Sequence, residues 1–172
     1  MKKKVLFAVV LALVFAFAMS VSAHASVLGD TQISFERAIQ IAVEHTGNGT
    51  VTEIEWESKY GLPVYEIEIY RDRQKYEIKI DAVTGEIIRT KEKRTSSTPD
   101  GLTVSQVTSA RTIELATTAI NRAGGGRIVE INWDRERGRT VVEVEVNNNG
   151  QKHEFIFNAA TDEIIRHRTR NR

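Results

Sequence analysis

Few side chains in this 172-residue sequence are placed to do catalytic chemistry. Beyond the first 25 residues the histidines are His45, His153 and His167, with no metal-ligating spacing and no H-E-x-x-H stretch. The absence of cysteine removes thiol catalysis, disulfides and Cys-based metal sites together. The serines are scattered without a G-x-S-x-G elbow. Gly124, Gly125 and Gly126 close a helical pattern and are not followed by Lys, so they do not read as a phosphate cradle. These residues imply no enzyme and no cofactor.

What remains is charge. Glu53, Glu55, Glu66 and Glu68 recur at alternate positions, as do Glu143 and Glu145, with Glu130 a further member of the set. Carboxylates at that spacing share one face of a sheet, which makes a docking face for a basic protein, a weak Ca²⁺ site, or an ordinary solvated surface. The tail RHRTRNR carries Arg166, Arg168, Arg170 and Arg172 and no acid. It reads as a basic end, either solubilising or in contact with an anionic polymer or lipid.

The elements that position these charges come in duplicate. Residues 51–90 lie on residues 128–167 without a gap at a shift of 77, and 16 of those 40 positions are identical. Each copy opens with a helical pattern. Phe35, Ala38, Ile39, Ala42 and Val43 draw one apolar stripe after Ser34, and Gly47 stops it. The matching region, 104–123, is rich in β-branched Thr and reads as a helix broken near Ala110.

The period then switches to two. Thr52, Ile54 and Trp56 alternate with Glu53, Glu55 and Glu57; the second copy repeats this with Val129, Ile131 and Trp133. Two further alternating runs follow in each copy, joined by turn signals at Gly61, Gly138 and Asn149-Gly150. Strict alternation predicts antiparallel sheets with one apolar and one wet face, the helix covering the apolar one. A short fourth strand is expected at 86–89 and 163–166. The two Trp fall on the apolar side and read as core.

The phrase DAVTGEII, which begins at Asp81, returns as NAATDEII from Asn158. Asp81 and Asn158 read as side-chain acceptors in a turn, with Gly85 and Asp162 at a position needing φ > 0. On that basis Asp162→Gly is expected to stabilise by about 0.5–1 kcal/mol.

The ends complete the layout. Lys2, Lys3 and Lys4 precede an apolar run of residues 5–19 and a small-x-small Ala23-His24-Ala25, the pattern of a cleaved signal peptide over 1–25. The run is short for a membrane span, which needs about 20 residues. Removing those three lysines leaves 21 basic against 23 acidic residues, and the folded part ahead of the Arg tail is more acidic still. Such a balance points away from nucleic acid.

The helical ISFERAIQIA, the glycine break, V-x-E-I-E, Y-E-I-E-I and K-Y-E-I-K-I-D-A-V-T-G-E-I-I together resemble the PepSY domain. The second copy departs from that pattern at its helix and at Asn158 and Asp162. The resemblance implies an α+β fold of two tandem units, each a helix packed on an antiparallel sheet of three to four strands. It also implies export to the cell exterior or envelope and a role in restraining a peptidase. No peptidase domain follows in this sequence, which points away from a propeptide acting in cis. The expected layout is a unit at 33–90, a linker at 91–101, a unit at 102–166 and a basic tail at 167–172. The expected function is an exported, non-enzymatic module that binds and modulates a secreted or wall-associated hydrolase, with an envelope-associated, polymer-binding module as the alternative. The expected partner is a protein, with no nucleic acid and with membrane contact only through the signal peptide.

Overall fold

The computed structural model describes residues 32–59, 61–95, 102 and 107–171, all within the compact unit Thr31–Arg172. The expected signal peptide, most of the expected linker, and Arg172 lie outside the described residues.

Helix α1 spans Phe35–Thr46 and is followed by strands β1 (Thr50–Lys59), β2 (Leu62–Arg71), β3 (Gln74–Asp81) and β4 (Ile87–Arg94). The order then repeats: α2 (Ser109–Ala123), β5 (Arg127–Glu136), β6 (Arg139–Asn148), β7 (Gln151–Asn158) and β8 (Ile164–Asn171). Both helices start and stop by the same means. The Ser34 hydroxyl accepts from the Arg37 N–H at 3.3 Å and the Thr108 hydroxyl from the Arg111 N–H at 3.2 Å. Gly47 and Gly124 then end the helices at φ 69° and 79°, a left-handed conformation natural to glycine. Helix α2 begins at Ser109, because Thr108, expected inside a broken helix, is its N-cap; residues 103–106 lie outside the described residues. The end of the second strand of each copy caps its helix. Arg71 donates to the Thr46 carbonyl, and Asn148 donates to the Ala123 carbonyl at 2.9 Å.

Each unit was expected to carry an antiparallel sheet of three to four strands, with the arrangement of the two units left open by the sequence; the two sheets are continuous. The strands form an eight-stranded antiparallel sheet in the order β4-β3-β2-β1-β5-β6-β7-β8. The copies join edge to edge through β1 and β5, where Glu53 faces Asn132, Ile54 faces Ile131 and Glu55 faces Glu130. Ile54 and Ile131 are equivalent in the duplication, so a pseudo-two-fold axis passes between them, normal to the sheet. Such an axis keeps both helices on one face. One apolar cluster accordingly runs through both copies, from Phe35, Ile39, Ile67 and Ile78 to Leu115, Ile131, Phe155 and Phe157. Pairing β1 with β5 also removes two sheet edges that separate units would have exposed.

Three local departures have physical causes. A bulge between Val51 and Glu53, repeated between Ile128 and Glu130, turns Val51 and Thr52 both inward and puts Ile128 in the core where Val129 was expected. Strand β4 runs to Arg94, into the segment expected as linker. Strand β8 runs through the residues expected as a basic tail, because β7 offers it a ladder from Gln151 to Phe157.

The repeated phrase is a turn, as its residues predict. The Asp81 carboxylate accepts from the N–H groups of Val83 at 2.7 Å and Thr84 at 2.9 Å. The Thr84 and then the Val83 N–H hold its carboxyl below the usual range. Asn158 accepts from the Ala160 N–H at 2.9 Å, and Gly85 and Asp162 take φ 78° and 58°.

Candidate functional site

The face of the sheet opposite the helices is a charged field built from strand register. The predicted carboxylates Glu53, Glu55, Glu66, Glu68, Glu130, Glu143 and Glu145 all lie on it, in two adjacent rows perpendicular to the strands. In one row Glu66, Glu55, Glu130 and Glu145 stand opposite one another in turn, with Lys79 beyond Glu66 and Glu154 beyond Glu145. In the next, Glu77, Glu68, Glu53, Asn132, Glu143 and Ile156 follow in order. Neighbouring strands are about 4.8 Å apart, so these are side-by-side like charges, an arrangement that destabilises a sheet.

Cations offset part of the field. Lys79 pairs with Glu66, Lys75 with Glu68, and Lys152 with Glu145, which is only 5% exposed. Lys91 reaches Glu77 at 3.1 Å, and Arg170 and Arg168 approach Glu154 at 3.6 and 3.9 Å. Among the described residues no cation lies within ion-pair distance of Glu53, Glu55, Glu130 or Glu143. Burial raises all four of these carboxyls, and neighbouring glutamates add to it. Glu53 is pushed up to about 7, first by burial and then by Glu68, Glu130 and Glu55.

The two copies differ at two places on this face. Asn132 stands where the first copy has Glu55, which removes one carboxylate from the axis. Ile156 stands where the first copy has Lys79 and is 1% exposed, so Glu143 lacks the lysine that Glu66 has.

Sequence reasoning missed Glu77 and Glu154 as members of the rows, although the same alternation contains them. It also missed Arg89, Lys91 and Lys93, which lie on this face of β4 at the positions equivalent to Arg166, Arg168 and Arg170 of β8. Those three arginines of the expected tail are therefore strand residues facing the same way as the glutamates, and Arg166 contacts Glu136 at 3.3 Å.

The histidines and tryptophans make local contacts. The His45 ring contacts the Thr90 hydroxyl at 3.1 Å. His153 and His167 contact each other at 3.3 Å, with His167 stacked 4.2 Å from Phe155. Among the described residues no three His, Cys, Asp or Glu side chains converge on a metal-sized site, so the acidic field does not gather into a Ca²⁺ cage. Trp133 is buried and donates to the Thr112 hydroxyl at 3.0 Å. Trp56 is half-buried against the core, with the Arg127 guanidinium 3.4 Å over its ring. No described helix is long and apolar enough to cross a membrane.

The family model described as PepSY, peptidase propeptide and YPEB domain, matches residues 32–91 and again residues 112–168. The two matches coincide with the two copies of the duplication. A crystal structure of a candidate lipoprotein from Clostridium difficile 630 is similar over 81% of this chain and 94% of its own, at 16% identity and a TM-score of 0.49. No curated protein matches the chain at a significant level.

Proposed function

The chain belongs to the PepSY family, and from that premise we propose that it is an exported, non-catalytic module that binds an extracytoplasmic peptidase or related hydrolase and restrains it. The observation that supports this reading is the helix-free face of the sheet. Four of its carboxylates have no cation within ion-pair distance among the described residues, and like charges stand opposite one another across β2, β1, β5 and β6. A basic protein surface relieves that repulsion on docking, so complex formation gains electrostatic free energy that the free protein lacks. The signal-like N-terminal segment supports export.

The partner this face fits carries a basic surface patch. The test mixes the protein with extracytoplasmic peptidases and measures activity against dose, alongside capture from an extracytoplasmic fraction. Inhibition should weaken at high salt and in the variant Glu53→Gln/Glu55→Gln/Glu130→Gln. Neither inhibition nor capture of any such enzyme would reject the reading.

A further inference from the structure

The two outermost strands carry a feature that peptidase binding does not use. On β4, Arg89, Lys91 and Lys93 occupy alternate positions on the glutamate-bearing face. On β8, Arg166, Arg168 and Arg170 do the same, at equivalent positions of the repeat. Alternate residues of a strand are about 6.7 Å apart, so each edge presents three cations in a line at that interval. The heads are accessible: the Lys91, Arg168 and Arg170 side chains are 49%, 52% and 60% exposed.

Cations on an edge strand protect it against aggregation whichever face they occupy. That role leaves their segregation unexplained. The opposite face of β8 carries His167, Thr169 and Asn171, with no acid and no Lys or Arg; that of β4 carries Thr90, Glu92 and Arg94, so the segregation is complete on β8 and partial on β4. Charge balance explains only part of it. Arg168 and Arg170 share the single carboxylate Glu154, and Arg89 and Lys93 have no acidic partner among the described residues.

We propose that each edge strand is a binding stripe for a linear polyanion of the phosphodiester class, lying along the strand with one anion per cation. The edge contributes further donors, because an edge strand turns unpaired backbone N–H groups outward. The choice of a linear chain over an anionic membrane follows from the arrangement. The stripes are about 34 Å apart, seven strand spacings, and the glutamate field fills the face between them. A flat anionic surface touching both stripes meets that field and is repelled. A chain running along one edge avoids it. This inference does not rest on the peptidase reading.

The test is calorimetric titration of the purified protein with a short glycerol phosphate oligomer at low salt. Two oligomers should bind per chain, with log K falling against log salt at a slope of about −2, as three displaced counterions require. The variant Arg89→Gln/Lys91→Gln/Lys93→Gln should bind one oligomer, and combining it with Arg166→Gln/Arg168→Gln/Arg170→Gln should abolish binding. The β4 variant keeps every Glu154 contact, so its stoichiometry stays readable if the six-fold variant fails to fold. Phosphatidylglycerol vesicles should not retain the wild-type protein. Oligomer binding unchanged in the β4 variant, or vesicle binding as tight as oligomer binding, would overturn the proposal. The β4 variant should still restrain a peptidase that the wild type restrains, which separates this result from that one.

Discussion

Ile54 of β1 stands directly opposite Ile131 of β5, and the two are the same residue of the duplicated unit. Both are buried, at 1% and 0% exposure. The junction between copies is thus core and not a hinge, and the apolar cluster runs across it.

This relationship predicts one unfolding transition. Each copy carries one tryptophan, Trp56 on β1 and Trp133 on β5. Single-tryptophan variants should report the same denaturation midpoint. Ile131→Ala, which opens a cavity at the seam, should cost about 2–5 kcal/mol. It should shift the Trp56 and Trp133 signals together. Two transitions, with only the second copy destabilised, would mean that the units fold separately.

The elements of each unit were legible because their signals are local. The α1 stripe, the alternation of Glu with Ile, and the Asp81 turn depend on neighbours within a few residues. The seam was not legible, since β1 and β5 pair across 77 residues and only three residue pairs define their register. Residues 91–94 and 167–171 read as linker and tail because their composition is polar. A strand that borrows its order from β3 or β7 needs little apolar content of its own. The glutamate set was readable from alternation, but the direct opposition of Glu55 and Glu130 exists only once the copies join.

The hairpin between β2 and β3 offers a simple stabilisation. Asp72 and Arg73 both take positive φ, 50° and 62°, where the equivalent turn of the second copy has Asn149 and Gly150 at 50° and 81°. A side chain at a left-handed position costs about 1–2 kcal/mol, which glycine avoids. Arg73→Gly should raise stability by about 1 kcal/mol and Tm by about 2–4 °C. The Thr95 N–H bond to the residue 73 carbonyl survives the change. An unchanged or lowered Tm in a calorimetric scan would count against this turn geometry.

Asp162→Gly looked stabilising from sequence, since Gly85 fills the equivalent site. The structure changes the sign of one contribution. Asp162 accepts from Arg111 through Nε at 3.1 Å and through Nη2, and Arg111 also donates to the Ala159 carbonyl. Relief of the left-handed backbone, about 0.5–1 kcal/mol, is therefore set against loss of a half-exposed ion pair worth a similar amount. Asp162→Gly alone should leave stability within about 0.5 kcal/mol of wild type. In an Arg111→Ala background it should stabilise by about 0.5–1 kcal/mol. A double-mutant cycle with no coupling between the two sites would refute the pairing.

The carboxylate field predicts greater stability in mild acid than at neutral pH. Glu53 holds its proton up to about pH 7 in the folded chain, against an ordinary value of 4.5. Between those values the folded state binds more protons than the unfolded state, so stability falls as pH rises through the window. Glu55, Glu130 and Glu143 are raised as well and act in the same direction. Glu77, held down by Lys91, and Asp81, held down by the Thr84 and Val83 N–H groups, act oppositely. Their contribution is present above their unfolded values and is lost only as pH falls below the ordinary carboxylate range. Stability should therefore peak near about pH 5. Glu53→Gln removes a charge that the folded state disfavours. The variant should raise Tm at neutral pH, leave it nearly unchanged at the acid peak, and flatten the profile between them. A wild-type Tm that rises from mild acid to neutral pH, or a Glu53→Gln profile parallel to that of the wild type, would show that the field does not govern the pH response.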